Sequence, residues 1–276
     1  IDVYTDKSNW NNPDFHYLLY KAIFALYKKR SMKISVALAT YNGEKYLLEQ
    51  LQSIANQTWG INEIIIIDDS SVDRTVNIAK EFLSDFSFEK KIITNDRRLG
   101  AYKNFEKALL NCSGEIIFLS DQDDIWYPDK VETHIKLHEE NQDIQVITND
   151  CLLSDKYHHT FGHTKMKNLN TAGINLTSMV MGCCCSFKKD FLKKALPFSD
   201  EFKGHDNWLC YLADKKQARL ILPKTLQLYR QHGSNTSNYF VNNEKGLNFY
   251  QKIIGYLRSK NSKRKNKFYI KEIHGK

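Results

Sequence analysis

Glu63-Ile-Ile-Ile-Ile-Asp-Asp-Ser-Ser71 sets four consecutive isoleucines against two carboxylates and two serines. A β-branched run without polar alternation suits a strand buried on both faces, the usual setting of a central strand in a parallel sheet. The acids that follow it mark the carboxyl end of that strand. The same arrangement occurs twice more. Lys33-Ile-Ser-Val-Ala-Leu-Ala39 runs into the turn signal Thr40-Tyr-Asn-Gly43, and Glu115-Ile-Ile-Phe-Leu119 runs into Ser120-Asp-Gln-Asp-Asp124.

Helical patterns separate these strands. Glu44 to Asn56 carries Leu47, Leu48, Leu51 and Ile54 at helical spacing, and further helices are expected at Asp73–Phe82, Asn104–Leu110 and Lys130–Glu140. Strands are expected at Lys91–Thr94 and Gln145–Thr148. Regular alternation with short connections predicts an α/β fold with a mainly parallel, Rossmann-like sheet flanked by crossover helices. The later half is less regular. It predicts strands at Met179–Phe187, Arg219–Leu222 and Thr225–Tyr229, and helices at Asp190–Ala195 and Asn207–Ala213. Beyond Val241 the pattern reads as basic helices. Phe15–Lys29 reads as a helix, and Met32 is a natural start for the domain. The expected organisation is therefore an extension at 1–31, one domain at 32–240 and a basic helical tail at 241–276.

The 276 residues, 42% hydrophobic and 26% charged, are enough for a buried core and exclude disorder along the whole chain. The net charge of +8 points to an anionic partner, which could be a phosphate-bearing substrate, a membrane surface or nucleic acid. The six cysteines include three in a row and form no CxxC pair, which suits small apolar residues in a reducing compartment better than disulfides or structural zinc. No apolar run approaches the roughly 20 residues that span a bilayer, and no signal peptide is visible. The expected location is the cytoplasm.

Two acidic clusters at strand ends can share one crevice, since open α/β sheets bind ligands at the carboxyl ends of their strands. Crowded carboxylates repel unless a cation or protons neutralise them. Hard Mg²⁺ or Mn²⁺ fits an oxygen-rich site of this kind, where it can bind carboxylates and phosphate oxygens together. An isolated Asp-x-Asp is ordinary loop chemistry. Asp121-Gln-Asp123 is more specific because it follows a buried strand and leads into Ile125-Trp-Tyr-Pro128.

With these segments together, the chain resembles inverting glycosyltransferases of family 2, which have the GT-A fold. The residues that carry the resemblance are Ile34–Gly43, Ile64–Thr75, Phe118–Pro128, Gly182-Cys183, Gly204-His-Asp-Asn-Trp208 and Leu228-Tyr-Arg-Gln-His-Gly233, in order from Met32 to Ser237. The Ser-Asp-Gln-Asp-Asp-Ile-Trp form is most similar to bacterial rhamnosyltransferase-like members that build surface polysaccharides. The resemblance implies a nucleotide-sugar donor, dTDP-rhamnose or a UDP-hexose, and a glycan or lipid-linked acceptor. It implies that Ala39, Tyr41 and Asp69 line the nucleoside pocket. Asp121 and Asp123 would hold the metal, with His232 near it, and Arg230 or His232 would help the departing diphosphate. Asp206 would be the general base, with Gly182 and Trp208 shaping the acceptor side. The chain departs from the common pattern at His205-Asp206, where one carboxylate stands in place of an acidic pair, and at Cys183-Cys-Cys185.

Plainer readings stand beside these. Asp206 also suits a cap for a helix starting at Asn207, and Gln231-His-Gly233 suits an ordinary turn. His158, His159 and His163 read as surface residues of a loop. The Lys- and Arg-rich end from Lys252 fits a solvated helical face, or contact with anionic lipid at the inner face of the cell membrane through Phe249, Ile253, Ile254, Tyr256 and Leu257. Nucleic acid is not expected, because no recognition motif accompanies the charge. Two other functions compete with transfer. A sugar nucleotidyltransferase would need a Gly-rich basic loop after the first strand, which Thr40–Gly43 lacks. A glycan-binding protein without turnover is countered by the intact Asp69, Asp121, Asp123 and Asp206.

Overall fold

The computed structural model describes residues 32–202, 204–233 and 235, and the strand pair Tyr269–Ile270. The expected helix Phe15–Lys29, the extension at 1–31 and most of the basic tail lie outside the described residues. The strands are β1 Ile34–Thr40, β2 Glu63–Asp68, β3 Glu89–Thr94, β4 Ile116–Ser120, β5 Ile125–Trp126, β6 Val146–Asp155, β7 Thr160–Thr164, β8 Cys185–Lys188, β9 Arg219–Gln231 and β10 Tyr269–Ile270. The helices are α1 Leu47–Ala55, α2 Thr75–Leu83, α3 Ala101–Asn111, α4 Lys130–Glu140, α5 Lys165–Thr171, α6 Lys189–Ala195 and α7 His205–Lys215.

One sheet runs in the order β10-β9-β6-β8-β4-β1-β2-β3, with β5 paired to β9 and β7 to β6. The β1, β2, β3 and β4 ladders are parallel. β8 is antiparallel to both β4 and β6, so β6 and the parallel β9 again run the same way as β4. The expectation of a mainly parallel α/β sheet holds, with β8 as a reversed strand within it.

The isoleucine run behaves as its composition requires. Every residue of β2 is buried, and alternate side chains face opposite layers. Ala37, Ile65, Ile67, Ile117 and Leu119 meet Phe105, Ala108 and Leu109 of α3, Phe191 and Leu192 of α6, and Leu209 and Ala213 of α7. On the other face Phe118 meets the Trp126 ring at 5.7 Å and the His134 ring of α4 at 5.3 Å. Buried Glu63 is satisfied where its strand begins, its carboxylate accepting from Ser35 Oγ, Ser113 N and Ser113 Oγ. β3 closes one sheet edge with exposed Glu89, Lys90 and Lys91, which discourage further strand pairing.

The later half differs from its sequence reading. Of the expected strand Met179–Phe187 only Cys185–Phe187 joins a ladder, as part of β8. Leu176–Ser178 and Gly182–Cys184 are 3-10 turns, because an apolar run fixes burial and leaves conformation open. The two expected strands at 219–229 are one, β9, whose ladder with β6 shifts register between Leu222 and Thr225. Pro223, which cannot donate to a ladder, sits at that irregularity. Residues read as a histidine-bearing loop form the β6–β7 hairpin, and Tyr269–Ile270, read as part of a helical tail, pairs with β9. All six cysteines are buried and unbridged. Among the described residues no helix is long and apolar enough to cross a membrane.

Candidate functional site

The carboxyl ends of β1, β2 and β4 meet at one edge. After β1 the loop Tyr41–Gly43 is stitched to the β2 loop, with Asn42 N donating to Ser71 Oγ (2.8 Å), Val72 N to Asn42 Oδ1 (3.0 Å) and Gly43 N to Thr75 Oγ1 (2.7 Å). Asp68 closes its own turn, accepting from Thr40 Oγ1 and Ser71 N. Asp69 is buried, and both its oxygens are engaged. It accepts from Asn95 Nδ2 at 3.0 Å, Leu99 N at 2.7 Å and Gly100 N at 2.8 Å. Gly100 precedes α3 with φ +84°, a conformation that favours glycine. Asp69 thereby fixes a loop whose Arg98 guanidinium lies 4.0 Å from the centre of the Tyr41 ring. Ala39 is half-buried near the end of β1, two residues before Tyr41. Ala39, Tyr41 and Asp69, expected to share a pocket, therefore stand at neighbouring strand ends, and Arg98 joins them.

The acidic loop after β4 sends its side chains in different directions. Gln122 reaches back to the first loop, accepting from Tyr41 N (2.8 Å) and donating to Tyr41 O (2.9 Å). Asp123 Oδ2 lies 2.6 Å from His232 Nε2, and the His232 ring stacks on Tyr46 at 4.7 Å. Asp124, fully buried, accepts from Gln227 Nε2 at 2.9 Å and Arg230 N at 3.4 Å.

Arg230, expected at the diphosphate, is spent elsewhere. Its buried guanidinium pairs with Glu49, donates from Nε to the Asp123 carbonyl (3.0 Å) and lies 4.6 Å from the Tyr46 ring centre. The geometry makes it a clamp between α1, β9 and the acidic loop. Beneath the loop Lys130 is fully buried. It donates to Cys183 O (2.7 Å) and to Gln227 Oε1, and sits 4.0 Å from the Trp126 ring centre. Nothing in a helical pattern separates such a lysine from an exposed one, and the sequence reading missed it together with Gln122 and Asp124.

Burial pushes Asp121 up to about 7, the Asp123 charge adds to that and the more distant Asp206 charge adds again; a hydrogen bond from Cys183 and the Lys130 charge oppose. Burial, then Asp123 and Asp121, holds Asp124 well above the carboxylate range. Burial also lowers Lys130. Ligand atoms of Asp121, Asp124 and Cys183 all lie within 4.8 Å of one another. Three carboxyl groups are thus crowded in one loop, and a hard divalent cation would favour their ionised form. The Cys183 thiol is the donor that fits least, since sulfur favours softer metals.

Asp206 stands in the first turn of α7. The helix begins at His205, two residues earlier than a capping role for Asp206 requires. Gly204 holds the cap without a side-chain bond. Asp206 Oδ1 accepts from Asn207 N at 2.8 Å and folds over Gly204, where a Cβ would lie 2.7 Å from that oxygen. A carboxylate here also suits the helix dipole. The His205 ring, whose pKa burial lowers, packs 4.2 Å from the Phe105 ring, and its Nε2 would lie 2.6 Å from a Cβ on Gly182. Gly182→Ala is expected to cost about 1–3 kcal/mol of stability through overpacking and to shift His205, with Asp206 beside it. Denaturant unfolding with unchanged stability would show that His205 yields freely.

Of the three histidines read as surface residues, His158 lies 3.4 Å from Glu49 and His159 pairs with Asp155 at 3.0 Å. His163 is half-buried on β7 near Phe161, and its Nε2 is enclosed without a hydrogen-bond partner among the described residues. Its setting corrects the surface reading.

Comparison with known proteins agrees with this geometry. The profile of glycosyl transferase family 2 matches residues 35–196. The dTDP-rhamnosyl transferase RfbG of Shigella flexneri is 31% identical over 261 residues, covering 86% of this chain and 82% of that one. The putative glycosyltransferase EpsE of Bacillus subtilis is 33% identical over 127 residues, 45% of each chain. The structure of Staphylococcus aureus TarS 1-349 in complex with UDP superposes with a TM-score of 0.59 at 21% identity, over 72% of this chain and 61% of that one. This chain thus spans less than two thirds of the length of EpsE and of that TarS chain. The TarS likeness shows a GT-A fold.

Proposed function

Since the chain belongs to glycosyl transferase family 2 and is a glycosyltransferase, we propose that it moves a sugar, with inversion, from a nucleoside-diphosphate donor to a hydroxyl of a glycan or lipid-linked acceptor in surface-polysaccharide assembly. The observation that carries the reading is the acidic loop Asp121–Asp124 at the carboxyl end of β4, with His232 Nε2 2.6 Å from Asp123 Oδ2 and the loop bonded through Gln122 to Tyr41 after β1. The donor nucleoside takes the corner of Ala39, Tyr41, Asp69 and Arg98. Asp121 and Asp123, with His232 beside Asp123, hold Mg²⁺ or Mn²⁺, which when bound stabilises the charge of the departing diphosphate. Asp206 takes the proton of the acceptor hydroxyl, whose oxygen then attacks the anomeric carbon from the face opposite the diphosphate. Asp206 Oδ1 is tied to Asn207 N, which leaves Oδ2 for that proton. Arg230 keeps the acidic loop in place through the Asp123 carbonyl.

The donor is dTDP-rhamnose or a UDP-hexose. The dTDP-rhamnosyl transfer for which RfbG is named favours the first, and the UDP complex of TarS keeps the second in view. A thermal-shift panel of nucleoside diphosphates with and without Mn²⁺ tests the site, because a ligand bound only by the native state raises the melting temperature. A Mn²⁺-dependent rise with UDP or dTDP is expected and names the nucleoside. No rise with any of them would remove the proposed donor site.

A further inference from the structure

We propose that Gln122 is a positioning residue whose amide locks the nucleoside-side loop to the acidic loop, so that the two ends of a nucleoside diphosphate are gripped in register. The inference rests on the donor site proposed above. The parallel ladder between β1 and β4 ends at Leu38 and Ser120. Past that point no backbone rung joins the two loops, and the Gln122 side chain supplies one. Its Oε1 accepts from Tyr41 N at 2.8 Å and its Nε2 donates to Tyr41 O at 2.9 Å. A primary amide meets a backbone N–H and C=O together in this way only with one orientation, which fixes the spacing of Tyr41 from Asp121 and Asp123.

Gly43 provides an independent observation. A Cβ built there would collide with the Gln122 amide, lying 2.5 Å from its Cδ, and the three atoms nearest to it all belong to that amide. Gly43 is not among the residues with left-handed backbone. The missing side chain therefore serves space and not conformation. The loop has little freedom to retreat, because Gly43 N is tied to Thr75 Oγ1 at 2.7 Å. Gly43 and Gln122 form a matched pair, the amide filling the volume that the glycine leaves.

Calorimetric titration of the full chain tests this with UDP and dTDP in the presence of Mn²⁺, and with UMP and dTMP in its absence. Gln122→Ala and Gly43→Ala are each expected to weaken Mn²⁺-supported diphosphate binding about ten-fold, the worth of two ordinary hydrogen bonds. The monophosphates, which engage one loop, should change less than about two-fold on the same reasoning. The double variant should bind no more weakly than Gln122→Ala alone, since neighbours that share one interaction are not additive. Gln122→Met, which keeps the volume without the bonds, should behave like Gln122→Ala and stands in for it if the alanine variant fails to fold.

Additive losses in the double variant, equal losses for the monophosphates, or undiminished diphosphate binding in Gln122→Ala and Gln122→Met would each overturn the coupling while leaving the donor site standing. A wild-type chain that binds neither diphosphate would overturn the donor site itself, and the coupling with it.

Discussion

Asp206→Asn is expected to slow sugar transfer about 10²–10⁴-fold, the usual contribution of a positioned general base, while Mn²⁺-dependent binding of the nucleoside diphosphate stays within about two-fold. The separation of the two effects follows from where Asp206 stands. Its carboxylate belongs to α7, and the proposed donor and metal contacts belong to β1 and the loops after β1, β2, β3, β4 and β9. Asparagine retains an oxygen that can accept from Asn207 N, so the first turn of α7 keeps its local bond. Only the capacity to take a proton is lost. Turnover measured with acceptor present, beside calorimetric binding of UDP or dTDP, reads both quantities. Full transfer by this variant would remove Asp206 from the reaction.

The second large effect concerns Asp121. In the metal-free protein, burial and the neighbouring Asp123 keep its proton on to about pH 7, whereas its ordinary value is 3.8. Between those limits the native state binds more protons than the unfolded chain, so metal-free stability falls as pH rises. A divalent cation takes the ionised form and offsets that loss. The melting temperature without metal should therefore drop from about pH 4 to about pH 7, and the rise caused by Mn²⁺ should grow over the same interval. Asp121→Asn should flatten the metal-free slope, melt higher than wild type above pH 7 and lose its response to Mn²⁺. A metal-free stability that increases through that window would contradict the raised carboxyl.

The donor half was legible in the sequence because its signals are local. Ile64–Ile67 and Ile116–Leu119 are strands whichever side they are read from, and acids directly after a buried strand have only its carboxyl end to occupy. Asp121, Asp123 and Asp69 came with the strands. What escaped depends on partners distant in the chain. Gln122 bonds Tyr41 across 81 residues and Lys130 bonds Gln227 across 97. A glutamine between two aspartates and a lysine at the start of a helix look like solvated side chains until those partners are in place. For Arg230 the sequence reading placed a positive charge near an anionic ligand, and its pairing with Glu49, 181 residues away, was not legible. The irregular segment before β8 was taken for strand because hydrophobicity reports depth and not φ and ψ.

The reversed strand β8 has a consequence for how readily this molecule can be altered. It is held by ladders on both sides, Ile116–Phe118 of β4 on one and Val146–Thr148 of β6 on the other. Between Asp155 and Gly182 the chain leaves the β4–β8–β6 ladders and returns, burying Met166, Leu169 and Met179 against Cys151, Leu153 and Ile221 on the way, while Lys156–Thr160 stays exposed. Lengthening such a loop adds closure entropy that grows only with the logarithm of its length, about 0.6 kcal/mol for each doubling. The strands that carry Tyr41, Asp69 and Asp121 would not shift register, since none of their ladders passes through the excursion. Insertion at the exposed turn Lys156–Thr160 is accordingly a gentle route to a chain with the same strand ends and a redrawn rim beside them.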